Sequence, residues 1–353
     1  MNDLLARAAR YVSIPSVSGN ERALADEVEE ALRSVSSIEV VRIGDNVLAR
    51  TTGSRTSRVM LAGHLDTVPG DASTMQVSDE AIVGLGACDM KGSVAVMVEL
   101  ALRGDVDLAS EVTWCFFARE EIGRAHSGLL EIAAVDPDLL GADVAILCEP
   151  TSCVVEAGCQ GTTRVEVVLR GARAHTARPW RGRNAIHRLQ GPLGAVTAYV
   201  PRAVTIDGVT YTEQCQAVGV AGGVSGNVVP DEARLTINQR VAPDRGTRDA
   251  VAELRALLAP FLEDTDSFEV LDAAEPASPQ LTHPVIARLV ELSGAPPRAK
   301  LGYTDVATFA TFGVPAVNFG AGDPELAHHA GELVRADDLA TCLDVLGRLL
   351  TAS

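Results

Sequence analysis

The chain has 353 residues, 47% of them hydrophobic, with 30 Lys and Arg against 47 Asp and Glu for a formal net charge of −17. That length favours two domains, and that apolar content supports a sizeable core and excludes a disordered chain. The acidic excess, with no basic patch to reverse it locally, argues against nucleic acid and anionic membrane surfaces as partners.

Met1 to Val12 carries Asp3, Arg7 and Arg10 among its apolar residues, so it lacks the unbroken run of a signal peptide or a spanning helix. Seven cysteines without a C-x-x-C pair suit a reducing compartment, and a cytoplasmic location is the expectation. Next, Ser18 and Glu21 form a capping-box pattern ahead of Leu24, Val28, Leu32 and Val35, which predicts a helix over about 20–35. Strand and helix patterns then alternate: strand 59–62, helix 90–102, strand 112–118, helix 127–135, strand 144–148. This is the rhythm of a mostly parallel α/β sheet flanked by crossover helices.

From Thr162 the order becomes strand 162–170, helix 184–199, strands 214–221 and 233–241, helix 247–262 and strand 268–272. That β-α-β-β-α-β order is the split arrangement of ferredoxin-like α+β domains. Beyond Pro276 and Pro279 the α/β pattern resumes, with a helix at 284–293, a strand at 314–319 and a closing helix at 336–350. The predicted organisation is a larger domain of residues 1–160 and 275–353 interrupted by a smaller one at 161–274.

Chemistry-bearing residues collect where the predicted strands end. Strand 59–63 runs into His64-Leu65-Asp66, and because strand side chains alternate, His64 and Asp66 share a face at the end where parallel sheets bind ligands. A histidine there can hold a metal while a carboxylate fixes its tautomer, although a plain polar turn would look the same. Asp89 lies between the glycines of Gly84-Leu85-Gly86 and an apolar helix, where it could also be a simple N-cap. Strand 112–118 ends in Glu120-Glu121, adjacent carboxylates that repel unless a cation, a proton or water resolves them. Strand 144–148 ends in Glu149, and the loop after strand 314–319 leads to His328-His329 and Glu332. Taken singly each is ordinary; five such groups at converging strand ends point to a metal centre.

The ordered set His64-x-Asp66, Asp89, Glu120-Glu121, Glu149 and His328 resembles the dinuclear zinc amidohydrolases that include acetylornithine deacetylase, aminoacylase and succinyl-diaminopimelate desuccinylase. The resemblance spans almost the whole chain. The segments LAGHLDTVPG, GACDMKGS, RGARAHTARPW, GYTDVATFA and NFGAGDPELAHHAGE look most like the actinobacterial-type desuccinylase branch. It implies a zinc-exopeptidase-like catalytic domain with an inserted lid and dimerisation domain, two zinc ions with cobalt as a substitute, and a homodimer joined through the lid. It further implies hydrolysis of N-succinyl-LL-2,6-diaminopimelate in lysine and diaminopimelate synthesis. The alternatives are another N-acyl amino acid hydrolase, such as acetylornithine deacetylase, or a non-catalytic relative.

By the same resemblance, His64, Asp89, Glu121, Glu149 and His328 hold metal, with Asp89 bridging. Asp66 supports His64, and Glu120 is the general base. His175 stabilises the oxyanion in the partner subunit's site, and Asn227 and Arg240 match residues that grip substrate carboxylates in relatives, although Arg240 could equally be a surface ion pair. Arg178, as a stand-in for the arginine missing at Gln160, and Thr304 are further substrate-facing candidates. His328 is preferred to His329 because the family pattern places histidine four residues before a glutamate, here Glu332. Two positions depart from the family: Cys88 stands where a smaller residue is usual, and Gln160 where an arginine is common.

Overall fold

The computed structural model describes residues 3–70, 74–104, 107–329 and 331–351. They divide into two compact units, one of residues 1–157, 280–298 and 308–353, the other of 158–279 and 299–307.

An eight-stranded sheet organises the larger unit, in the order Ile38–Ile43, Asn46–Thr51, Glu111–Phe117, Arg58–His64, Val144–Leu147, Ala316–Asn318, Glu156–Ala157, Arg298–Ala299. Its middle four strands run parallel, and antiparallel strands flank them. Every residue of Glu111–Phe117 and Val144–Leu147 is buried, and Val144–Leu147 accordingly reads as a continuous apolar run. Helix Gly92–Ala101 is buried nearly all round, and helices Asp3–Val12 and Ala336–Leu350 pack against it.

In the smaller unit the four-stranded antiparallel sheet has the order Gln214–Gly222, Glu232–Val241, Gly161–Arg170, Ser267–Ala274. Val165, Val167, Leu169, Leu235 and Ile237 alternate inward from it onto Leu189, Val196, Leu254 and Leu258 of the covering helices. This is the ferredoxin-like order expected from the β-α-β-β-α-β pattern.

Several local expectations are corrected. The predicted helix 184–199 is two helices, Ala185–Arg188 and Gln190–Thr197, and two hairpins, at 38–51 and 203–212, were not foreseen. Residues 299–307 cluster with the smaller unit, because Lys300 accepts the Gln160 amide (3.2 Å) and Thr304 accepts the Cys159 thiol (3.7 Å). The capping box does not form: Ser18 donates to Asp66, and Glu21, at the N-cap position of helix Arg22–Arg33, makes no side-chain cap.

Candidate metal centre

His64 is the last residue of strand Arg58–His64, which lies between two parallel neighbours, so its ring is carried to the carboxyl end of the sheet and is 1% exposed. Its Nδ1 lies 3.0 Å from the Asp66 carbonyl and 3.6 Å from the Asp66 carboxylate, which leaves Nε2 to face Asp89 Oδ1 at 2.9 Å and Glu149 Oε1 at 4.0 Å. Asp89 presents its other oxygen to His328 Nε2 at 3.5 Å, and the same nitrogen is 3.0 Å from Glu121 Oε1. One carboxylate therefore stands between two imidazoles.

The loop that carries Asp89 is built from the far end of the chain. Gly86, at φ +77°, gives the tight approach, since a Cβ there would meet Thr67 at 2.7 Å. The buried Glu332 carboxylate accepts the amides of Gly86 (3.0 Å) and Asp89 (2.8 Å). The Cys88 thiol also turns to Glu332, at 3.6 Å, and burial followed by that negative charge pushes its pKa far up; it is packed as a neutral thiol. His328 itself sits at φ +63° with its Nε2 on Glu121; both His328 and His329 are exposed, and the contacts to Asp89 and Glu121 are His328's.

The histidines and carboxylates of this cluster shift one another's pKa values. Burial disfavours a charged His64, yet hydrogen bonds to Asp66 and Asp89 reverse this and raise its pKa well above the ordinary value. The hydrogen bond to Asp89 lifts His328 to about 9 against its partial burial. Burial opposes ionisation of Asp89 and Asp66, but the histidines hold both low, Asp66 at about 2. Burial and the Asp89 charge push Glu121 up, against the pull of the two histidines. The donor atoms of His64, Asp89 and Glu121 lie within 4.8 Å of one another, and two imidazoles with three carboxylates form a nitrogen and oxygen set suited to zinc. The residues fit a two-metal centre.

Glu120 stands beside Glu121 in the larger unit, its amide donating to Asp66 Oδ1 at 3.0 Å, and the other predicted residues lie in the smaller unit. His175, Arg178 and Asn227 share an exposed pair of loops: Arg178 donates its amide to the His175 carbonyl (2.7 Å), and Thr176 donates to the Asn227 carbonyl (3.1 Å). Arg240 is half-buried on strand Glu232–Val241 with no ion-pair partner among the described residues, and burial lowers its pKa. Thr304 is buried with its hydroxyl unpartnered among the described residues. Gln160 is buried and donates to Thr212 at 3.1 Å, so its amide anchors a hairpin.

Residues 60–352 match the family model described as Peptidase family M20/M25/M40. The DapE protein of Mycobacterium tuberculosis is 47% identical over 352 residues, covering 99% of this chain and 98% of the relative. The succinyl-diaminopimelate desuccinylase of Corynebacterium glutamicum is 40% identical over 357 residues, covering 99% and 97%. An acetylornithine deacetylase of Myxococcus xanthus is more distant, at 30% over 319 residues, 86% of this chain and 82% of the relative. Among solved structures, the aminopeptidase PepT of Bacillus cereus superposes with a TM-score of 0.80 at 18% identity, covering 98% and 97% of the two chains. The Bacillus subtilis YXEP protein, a dinuclear metal binding peptidase, gives 0.72 at 16% identity, covering 98% and 96%. At those identities the structures speak for the fold alone.

Proposed function

The chain belongs to peptidase family M20/M25/M40, and from that premise we propose that it hydrolyses N-succinyl-LL-2,6-diaminopimelate to succinate and LL-2,6-diaminopimelate at a two-zinc centre in the cytoplasm. The observation that carries the chemistry is Asp89 standing between His64 and His328 with Glu121 alongside. The full-length likeness to the Corynebacterium desuccinylase carries the substrate.

Bound zinc would polarise the amide carbonyl and lower the pKa of a water molecule. His64, Asp89, Glu121, Glu149 and His328 are its ligands in this reading. Glu120 takes the proton of the attacking water and returns it to the leaving amine, so that an amine and not an amide anion departs. Asp66 keeps the His64 ring oriented and accepts the Glu120 and Glu121 amides at 3.0 Å each. Because the Ala177 amide donates to His175 Nδ1 (3.0 Å), the proton of a neutral His175 ring is on Nε2, the donor an oxyanion needs. Arg178, Asn227, Arg240 and Thr304 bind the substrate's polar ends. The half-buried Arg240 guanidinium is the best suited to the succinyl carboxylate, which an acetyl group lacks.

A homodimer through the smaller unit belongs to the same proposal. Edge strand Gln214–Gly222 exposes Val218 (58%) and Val220 (59%), and an apolar open edge is a template for a second copy. Cytoplasmic residence accords with seven cysteines that form no C-x-x-C pair.

The deciding experiment offers the zinc-loaded protein succinyl-diaminopimelate, acetylornithine and a dipeptide in parallel. Preference for the first is expected, and preference for acetylornithine would replace the substrate. For the dimer, inactive Glu120→Gln and His175→Ala chains are mixed under demonstrated exchange. Recovery of about a quarter of parental activity is expected, since half the dimers are mixed and each has one intact site. No recovery would remove His175 from the partner's site.

A further inference from the structure

The segment that leads from strand Glu111–Phe117 to the two adjacent glutamates is held in an uncommon way. The Ala118 amide donates to Asn46 Oδ1 (2.9 Å), Arg119 to Glu21 Oε1 (3.1 Å), Glu120 to Asp66 Oδ1 (3.0 Å) and Glu121 to Asp66 Oδ2 (3.0 Å). Four consecutive backbone donors are each taken by a side-chain oxygen, where a strand would have used its neighbours' carbonyls. All three acceptor residues, Glu21, Asn46 and Asp66, are 0% exposed. They are anchored in turn: Glu21 Oε1 also accepts Gly19 (2.8 Å), Asn46 donates to the Ile43 carbonyl (2.8 Å), and Ser18 donates to Asp66 (2.7 Å). Arg119 sits at φ +62°, a conformation that a non-glycine residue keeps only where its surroundings over-determine it.

We propose that Glu21 and Asn46 are positioning residues for the hydrolysis: with Asp66 they form a cradle that fixes the backbone of 118–121 and so sets where the Glu120 and Glu121 carboxylates stand relative to Asp89. Neither reaches the reacting atoms. The inference rests on the reading of Glu120 as the base, and adds to it the reason the base holds its place without a ladder of sheet hydrogen bonds. Glu21 works through a single oxygen, since Oε2 has no partner among the described residues. Its amide isostere keeps that acceptor.

The test compares Glu21→Gln, which keeps the acceptor, with Glu21→Met, which keeps the volume and loses it, in zinc-loaded protein with succinyl-diaminopimelate as substrate. Hydrogen exchange of the 118–121 amides and metal content are measured beside the kinetics. Glu21→Met should lose about 10- to 100-fold in kcat with KM within about twofold, because small displacements of a reacting group cost that much. It should exchange faster at 119–121 and retain metal. Glu21→Gln should stay within about threefold of the parent in kcat, with parental exchange. Should Glu21→Met not fold, Glu21→Asp, which withdraws the oxygen by one carbon, is expected to show the same pattern. Unchanged kcat and exchange in Glu21→Met or Glu21→Asp, or an equal loss in Glu21→Gln, overturns the proposal. A fully active Glu120→Gln control would instead sink the assignment of the base, while the exchange measurement still decides whether Glu21 holds the loop.

Discussion

Buried carboxylates in the two units are partnered on opposite terms. In the smaller unit Glu213 is fully buried and takes Arg202 at 2.9 Å, Arg245 at 2.6 Å and the Ala242 amide at 2.9 Å. Asp266, nearby in sequence to strand Ser267–Ala274, is likewise matched by Arg188 at 2.6 Å. In the larger unit Asp89 and Glu121 meet His64 and His328 instead. An arginine is a cation that cannot leave, so Glu213 and Asp266 are each neutralised for good. An imidazole can release its proton and offer a lone pair, so the cluster of Asp89 and Glu121 can exchange protons for metal. The kind of partner, more than the degree of burial, separates a brace from a metal centre.

The largest effect that could break this contrast is at Glu120. Glu120→Gln should lower kcat by about 10²- to 10⁴-fold while metal content stays parental, because the amide keeps the shape and cannot take a proton. Loss of metal with activity would move Glu120 into the ligand set. Next in size, His328→Ala should cost one of two metal equivalents by elemental analysis, whereas His329→Ala should keep both; the reverse pattern would shift the register by one residue. A plateau at one equivalent in the parent would leave a mononuclear centre.

The brace can be tested without touching the metal. Glu213→Gln leaves two arginines short of their carboxylate and should cost about 3 kcal/mol in denaturant unfolding, with metal content unchanged. The smallest effect is its pH dependence. Burial opposes the Glu213 charge, but the arginines and the Ala242 amide hold its pKa below the ordinary value. The unfolded chain therefore protonates first, at about pH 4.3, and the stabilisation is whole above that value and drains away as pH falls through the folded pKa. The gap between parent and Glu213→Gln should be widest near neutrality and narrow below about pH 4; a gap that widens in acid would refute the brace.

How much of this was legible in the sequence depends on the range of the interactions involved. His64, Asp89, Glu121, Glu149 and His328 each follow an apolar strand or a glycine-rich turn, and the parallel sheet turns such sequence-distant ends into neighbours. The choice of His328 over His329 came from the spacing to Glu332, and the structure adds a positive φ that spacing cannot express. Glu21 misled because S-x-x-E ahead of an apolar helix reads locally as a cap, while its carboxylate accepts the Gly19 amide and the Arg119 amide, the latter 98 residues away. Asn46 gave no signal, since it begins a strand in a hairpin whose pattern was not recognised. Helix 184–199 broke at Leu189 just ahead of Gly191-Pro192, whose proline lacks an N–H and crowds the carbonyl four residues back, a local signal the periodicity overrode. For His175, Arg178, Asn227, Arg240 and Thr304, the decisive quantity is where a bound molecule puts its carboxylates, which no spacing encodes.

The tie between Glu332 and the loop of Asp89 has a consequence for how the protein comes into being. Glu121 and His328 stand 207 residues apart, and the strand Ala316–Asn318 that precedes His328 must first take its place beside Val144–Leu147. During synthesis, therefore, His64, Asp89, Glu121 and Glu149 all emerge long before the segment that completes their geometry, and the whole smaller unit is translated in between. A nascent chain has no finished centre to fill until Glu332 has cleared the ribosome and drawn Gly86 and Asp89 into line. Under the proposed two-metal reading, the full ligand set exists only once both ends of the larger unit have met.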